Sequence, residues 1–417
     1  MRVILFVEIL SIGGLPNYVL DLARALTDVG DNVALAHAGD ALPSHLELAG
    51  ITLLSVNAAQ LHTSAVTLAS WAPDLIHVHL CSNHVLLAAM TSLGIPLIRS
   101  FHDFTSLCLR RGRRRFPGDR CQRALGRACL AFGCGLGAPN PGSRLPGFKS
   151  ISMKLLERSS YQQFNASIVG SAYMQGTLVK NGFISTRVHL VPYFSRFDRD
   201  AREASGADRR IGERVGVDRP LQLLFSGQAV AGKGLRVLIR ALAEVNGKWH
   251  LTVVSEGPEL PTVRHLTERL NIARFVSFKG WVPPSALRDI YRSADLLVIP
   301  SVWDDPGPLV GLEALSLGTP VLGFPVGGIP DYVLDGRTGF LAGSVSAESL
   351  AAALRRALER AADLPEMGRA GQILVAERHS RSEHVEKLRF IYSSALARWY
   401  PPQNAKSLGL IEGVCLS

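Results

Sequence analysis

Cysteine is scarce: 417 residues hold only six, too few for a disulfide scaffold. Long apolar runs are missing as well, and none reaches the roughly 18 residues that would span a bilayer. Residues 1–10 are apolar but short and carry Glu8. A signal peptide would want a cationic start and a small-residue cleavage site. These residues read as a first buried strand, so the chain is expected in the cytoplasm. Nothing resembles the paired carboxylates with which glycosidases work. Charge is thin, at 19% of residues against 47% apolar. That apolar share can bury two sizeable cores and excludes a wholly disordered chain.

What charge there is leans one way. Lysine and arginine number 45 against 35 acids, a net of +10, which favours phosphate-bearing partners. The excess is concentrated at residues 110–127, where Arg110, Arg111, Arg113, Arg114, Arg115, Arg120, Arg123 and Arg127 face a single acid, Asp119. Such a run is either a solvated loop or a basic flap for an anionic membrane or lipid diphosphate. Nucleic acid fits poorly, because no aromatic platform interleaves the arginines.

Short apolar runs alternate with helical patterns. Strands are expected at residues 2–7, 33–37, 75–80, 97–101 and 166–170, with a helix at 17–28. The pattern breaks in a charged stretch at 195–219 and restarts. Strands then follow at 221–226, 250–255, 276–279, 296–300 and 320–324, with helices at 235–245, 260–270, 284–293, 309–317 and 347–361. Strand–helix alternation of this kind makes parallel sheets covered on both faces. The expected fold class is α/β with two doubly wound domains, at 1–205 and 217–381. A last helix at 382–400 and an unassigned tail at 401–417 follow.

In such sheets ligands bind where loops leave the carboxyl ends of strands. Four of these loops stand out. Ser11-Ile12-Gly13-Gly14 opens the first helix, and Gly227-Gln228 leads to Gly232-Lys233-Gly234 after the sixth expected strand. Neither is a G-x-G-x-x-G or G-K-[ST] loop; a glycine pair is often only a turn, and a lysine there is often only solvated. The third runs from Pro300 through Asp305, Pro308, Leu309 and Val310 to Glu313. Proline suits a first helical position, and the free amides of Gly311 and its neighbours are expected to face a phosphate. Glu313 can accept from two vicinal hydroxyls, as on a ribose. The fourth is His102-Asp103, closing a strand.

In this order and spacing, and together with Ser255-Glu256-Gly257-Pro258, Gly318-Thr319-Pro320 and Gly327-Gly328-Ile329-Pro330-Asp331, these residues resemble a retaining glycosyltransferase of family 4. That resemblance implies a GT-B fold, with Rossmann-like domains facing a central cleft and the last helix crossing back to the first domain. It implies a nucleotide sugar (UDP- or GDP-linked) as donor, a glycan or lipid-linked acceptor in polysaccharide or glycolipid assembly, and transfer with retention. No nucleic acid and no catalytic metal are implied. By the same resemblance Lys233 binds the diphosphate, with Gln228 and the backbone of Leu309 and Val310. Glu313 holds the ribose, Asp305 the donor sugar's hydroxyls, His102 stands near the donor sugar, and Gly14 near the diphosphate or acceptor. Two positions depart from the family pattern: Asp305 replaces glutamate, and Gln228 stands where many members carry arginine. They keep a catalytically impaired nucleotide-sugar-binding protein as an alternative. A synthase acting on a soluble sugar phosphate is another.

Cys108, Cys121, Cys129 and Cys134 follow the His-Asp pair with spacing C-x12-C-x7-C-x4-C, inside an insertion at 105–148. Four thiolates would suit a structural zinc. The alternative is free or redox-paired thiols, since no tight C-x2-C knuckle is present. The basic insertion makes peripheral contact with the inner face of a membrane a further expectation.

Overall fold

The computed structural model describes residues 1–10, 14–39, 48, 50–110, 112–113, 120–136, 147–198 and 219–399. The Ser11-Ile12-Gly13 turn, most of the charged stretch after residue 198 and the tail lie outside the described residues. The first domain begins with β1 (Arg2–Val7), whose RVILFV run is buried from its second residue onward. In α1 (Gly14–Asp28), Tyr18, Val19, Leu22, Ala23 and Leu26 recur at helical spacing and are buried. There follow β2 (Asn32–His37), β3 (Thr52–Ser55), α2 (Leu61–Ser70), β4 (Leu75–Leu80), α3 (His84–Ser92) and β5 (Leu97–Phe101). The insertion contributes the short α4 (Ala128–Ala131). After it come α5 (Ile151–Gln162), β6 (Ala166–Val169), α6 (Ala172–Lys180) and β7 (Val188–Leu190).

The second domain restarts with β8 (Leu221–Ser226), α7 (Leu235–Ala243), β9 (Trp249–Val254), α8 (Leu260–Arg269), β10 (Val276–Phe278) and α9 (Pro284–Ser293). It continues through β11 (Leu296–Ile299), α10 (Leu309–Ser316), β12 (Val321–Gly323), β13 (Gly339–Leu341), α11 (Ala347–Glu359) and α12 (Leu364–Arg378). Then α13 (Arg381–Trp399) returns to the first domain, where Tyr18 Oη meets His384 Nε2 at 2.8 Å and Tyr392 Oη meets His77 Nδ1 at 2.7 Å. No helix among the described residues is long and apolar enough to cross a membrane.

The two sheets have orders β3-β2-β1-β4-β5-β6-β7 and β10-β9-β8-β11-β12-β13, and the pairs within them are parallel. Each order reverses at one point: between β1 and β4 in the first, between β8 and β11 in the second. A crevice opens at such a reversal, because the loops on its two sides lead to opposite faces of the sheet. The strands β3, β7 and β13, which the sequence patterning misses, are edge or near-edge strands of three or four residues. They are too short for periodicity to register.

Candidate functional site

The second-domain wall is built from two turns locked together. Gly234 has φ +74°, and a Cβ there would fall 1.8 Å from the Pro300 carbonyl oxygen, so only glycine allows the approach. The approach presses the Lys233 turn onto the loop that follows β11, and Val302 N donates to Gly232 O at 2.9 Å. Lys233 Nζ then lies 2.5 Å from Asp305 Oδ2, which also accepts from Ser301 Oγ at 3.3 Å. From the other side, Gly328 N donates to Asp305 O at 2.8 Å.

One turn into α10, Glu313 Oε2 accepts from Tyr291 Oη at 2.8 Å. The Gly311 amide donates to Pro308 O at 3.1 Å, and Gly311 faces the Tyr332 ring. The expectation that this amide faces a phosphate is therefore corrected: it is spent inside the helix turn. Leu309, Val310 and Glu313 do border the cavity.

The first-domain wall is aromatic. His102 Nδ1 is 2.9 Å from Tyr193 Oη, and His102 Nε2 is 2.9 Å from His79 Nδ1. The ring stacks on both neighbours, with centroids 5.5 and 5.2 Å apart. Burial, and then the Arg99 charge, hold His102 well below the usual histidine range, so its imidazole is neutral at pH 7. Both ring nitrogens are engaged, and a sugar hydroxyl must compete for one of them. Gly14, the first residue of α1, faces Leu309 of α10 across the cleft.

Between the walls is a cavity of about 660 Å³, bordered by Gly14, His102, Gln228, Lys233, Asp305 and Glu313. The expected donor-side residues are thus brought together. The sequence reading missed one more, Arg196. It borders the same cavity, with Nε 3.5 Å from Glu313 Oε1 and Nη2 3.2 Å from Asp21 Oδ2. Burial disfavours its charge, but Glu313 and Asp21 outweigh burial and raise its pKa further. Its only mark in the sequence is that it ends the apolar run Val191-Pro192-Tyr193-Phe194-Ser195, where the charged stretch begins.

The insertion departs from expectation. Arg113 is 3% exposed, and Arg120 Nε donates to Asp304 Oδ1 at 2.9 Å. These two arginines belong neither to a solvated loop nor to a membrane flap, because a buried carboxylate of the second domain draws them inward. The zinc reading of Cys108, Cys121, Cys129 and Cys134 does not fit the described geometry either. Among the described residues no group of three or more His, Cys, Asp or Glu could hold a metal ion. Cys129 and Cys134 instead pack with Leu109, Leu125 and Phe132 in a small apolar cluster. Burial, and to a lesser degree the neighbouring cysteines, push the Cys108 and Cys134 thiols up.

Similarity to known proteins agrees with this architecture. Residues 12–194 match the family described as "Glycosyltransferase Family 4", and residues 211–373 match "Glycosyl transferases group 1". A Catenulispora acidiphila protein named D-inositol 3-phosphate glycosyltransferase 2 is 31% identical over 79% of this chain and 78% of its own. A Corynebacterium aurimucosum D-inositol 3-phosphate glycosyltransferase is 34% identical over 48% of this chain, and that match spans half of the relative's length. The Anabaena protein HepE, solved in complex with UDP-glucose, superimposes with TM-score 0.70 at 17% identity, covering 94% of this chain and all of that one. The fold is GT-B, two Rossmann-like domains about one cleft. The chain belongs to the family 4, group 1 glycosyltransferases.

Proposed function

We propose that this protein transfers a sugar from a UDP-sugar to a hydroxyl of a phosphate-bearing acceptor, with retention of configuration. The observation that carries the reading is the meeting of Lys233, Asp305, Glu313 and Arg196 in one cavity where both sheets reverse. A diphosphate entering beside Lys233 competes with Asp305 for the ammonium. Asp305 is then free to accept from donor sugar hydroxyls, and Glu313 to accept from the ribose. Arg196 supplies a second cation to a wall where Gln228 carries none. A neutral His102 can hydrogen-bond the sugar without opposing positive charge in the transition state. Closure of the cleft excludes water from that transition state. With Asp305 accepting from the sugar hydroxyls in that complex, no protein nucleophile is invoked. The departing phosphate oxygen takes the acceptor's proton on the face where the new bond forms.

Two facts support an anionic acceptor. The relatives are named for an inositol phosphate acceptor. Between Asp119 and Asp198, moreover, the sole acid is Glu157, against ten lysines and arginines, and Glu157 is buried. A phosphate on a soluble polyol and one at a lipid surface share this chemistry, and the acceptor arms separate them. One experiment tests donor and acceptor together. UDP, GDP and ADP are screened by thermal shift, since a ligand binding only the native state raises Tm. Transfer from UDP-sugars is then followed to inositol phosphate or to phosphatidylinositol in vesicles, with NMR of the new anomeric bond. A Tm rise with UDP and a retained linkage support the reading, and the productive arm identifies the phosphate's source. No Tm rise with any nucleotide, or an inverted product, sinks it.

A further inference from the structure

The loop that presents Asp305 to the cavity is held by the other domain. Asp304, next in the chain, turns away from the cavity, and its side chain is fully buried. Among the described residues, the partners of its carboxylate come from the first domain. Arg120 places Nε at 2.9 Å and Nη2 at 2.6 Å from Oδ1. The Tyr173 hydroxyl donates to Oδ2, and Arg113 Nε stands 3.7 Å from the same oxygen. Burial and the Asp304 carboxylate push the Tyr173 hydroxyl up to about 12, so it remains a donor near neutral pH. Arg113 is itself held over the Phe104 and Tyr173 rings, 5.4 and 5.9 Å from their centroids.

The residue before, Trp303, continues the pattern. Its ring lies against Gly112 of the insertion and against Gly232, the neighbour of Lys233. Both members of the Lys233–Asp305 pair are therefore one residue away from a contact that includes the insertion.

We infer that Asp304 is a positioning residue: through Arg120, Arg113 and Tyr173 it ties the cysteine–arginine insertion to the loop carrying Asp305, and so sets the donor-side geometry only when the two domains are together. Charged hydrogen bonds removed from water are strong and directional, and a displacement of about 1 Å at a reacting centre can cost roughly a hundredfold in rate. The kinetic consequence rests on the transferase reading above; the contact itself does not.

The test uses the full chain with Asp304→Asn, Arg120→Gln and the double variant. Urea unfolding gives the double-mutant cycle, calorimetry gives UDP affinity, and steady-state kinetics give kcat and the donor KM. A coupled pair makes the double variant about as unstable as the worse single one. Because Asp304 does not face the cavity, UDP affinity stays within about threefold while kcat falls at least about tenfold. Additive unfolding effects overturn the clasp. So does a transfer rate within about twofold of the parent's, or a loss of UDP affinity that matches the loss of kcat. If Asp304→Asn does not fold, Arg120→Gln carries the kinetic test alone, since that guanidinium is one-third exposed. A parent that transfers nothing refutes the functional reading, while the unfolding cycle still decides the contact.

Discussion

The two walls of the cleft come from domains of the same architecture but are made differently. The second-domain wall consists of turns, helix starts and charges of both signs: Lys233, Asp305 and Glu313. The first-domain wall, apart from Arg196, is an uncharged stack. His77 and His79 lie within β4, His102 follows β5, and the three meet Tyr18, Tyr193, Tyr392 and His384. A charged loop wall binds by replacing its internal ion pairs with a ligand's. A buried neutral stack works by keeping its shape and its protons. Substitutions should therefore fail differently on the two sides, by losing ligand on one and by losing structure on the other.

The largest effect should come from Lys233→Ala. It removes the ammonium expected at the diphosphate and leaves Asp305, 6% exposed, with Ser301 as its remaining side-chain partner among those described above. A charged hydrogen bond is worth about 1.5–3 kcal/mol, or roughly 10- to 100-fold. Transfer measured as kcat/KM should fall by at least that much, with thermal stability little changed. Arginine should rescue poorly, since its planar fork does not replace a point charge in so tight a pair. A rate within about threefold of the parent's would remove Lys233 from the site.

The first-domain wall should instead show itself in pH. Burial holds His77 at about 3 and His384 at about 4, and lowers His79 and His102 as well. All start from an unfolded value of 6.5. Above that value each is neutral whether folded or not, so folding costs nothing in protons. Below it the unfolded chain takes up protons that the folded chain refuses, and stability falls as pH drops toward the folded values. The slope is about 1.4 kcal/mol per pH unit for each such histidine. Amide exchange between pH 7.5 and 4.5 should therefore show first-domain strands β4 and β5 losing protection before β8 and β11. Equal loss in both domains would break the contrast between the walls.

How much of this was legible in the sequence follows the same division. Both sheets and most of their strands are visible, because buried parallel strands are short apolar runs between helical patterns. The second-domain wall is legible as well, since a loop's chemistry sits in consecutive residues, as in Gly232-Lys233-Gly234 or Asp305 through Glu313. The first-domain wall is not. His77 and His79 lie inside an apolar strand, and the hydroxyl that His77 meets, on Tyr392, comes 315 residues later. Arg196 hides at the edge of a charged stretch. The insertion misleads for a related reason: its arginine count suggests an outward surface, but one buried carboxylate, Asp304, turns two of those arginines inward.

The smallest expected effect tests the departure at Asp305 itself. Glutamate there would carry the carboxylate about 1.5 Å further. The backbone cannot yield to make room, because Gly327, at φ +56°, is packed so closely on Asp305 that a Cβ would fall 1.8 Å from its carbonyl oxygen. The longer side chain must extend into the cavity, past Lys233, toward where a donor sugar would lie. UDP lacks the transferred sugar and should bind Asp305→Glu as it binds the parent. The donor KM should shift by about threefold or less, under about 1 kcal/mol, and by different factors for sugars that differ at the hydroxyls facing this carboxylate. Equal shifts for UDP and for every UDP-sugar would place the Asp305 carboxylate at the diphosphate. It would then be a partner of Lys233 alone, and the division of labour within the charged wall would have to be redrawn.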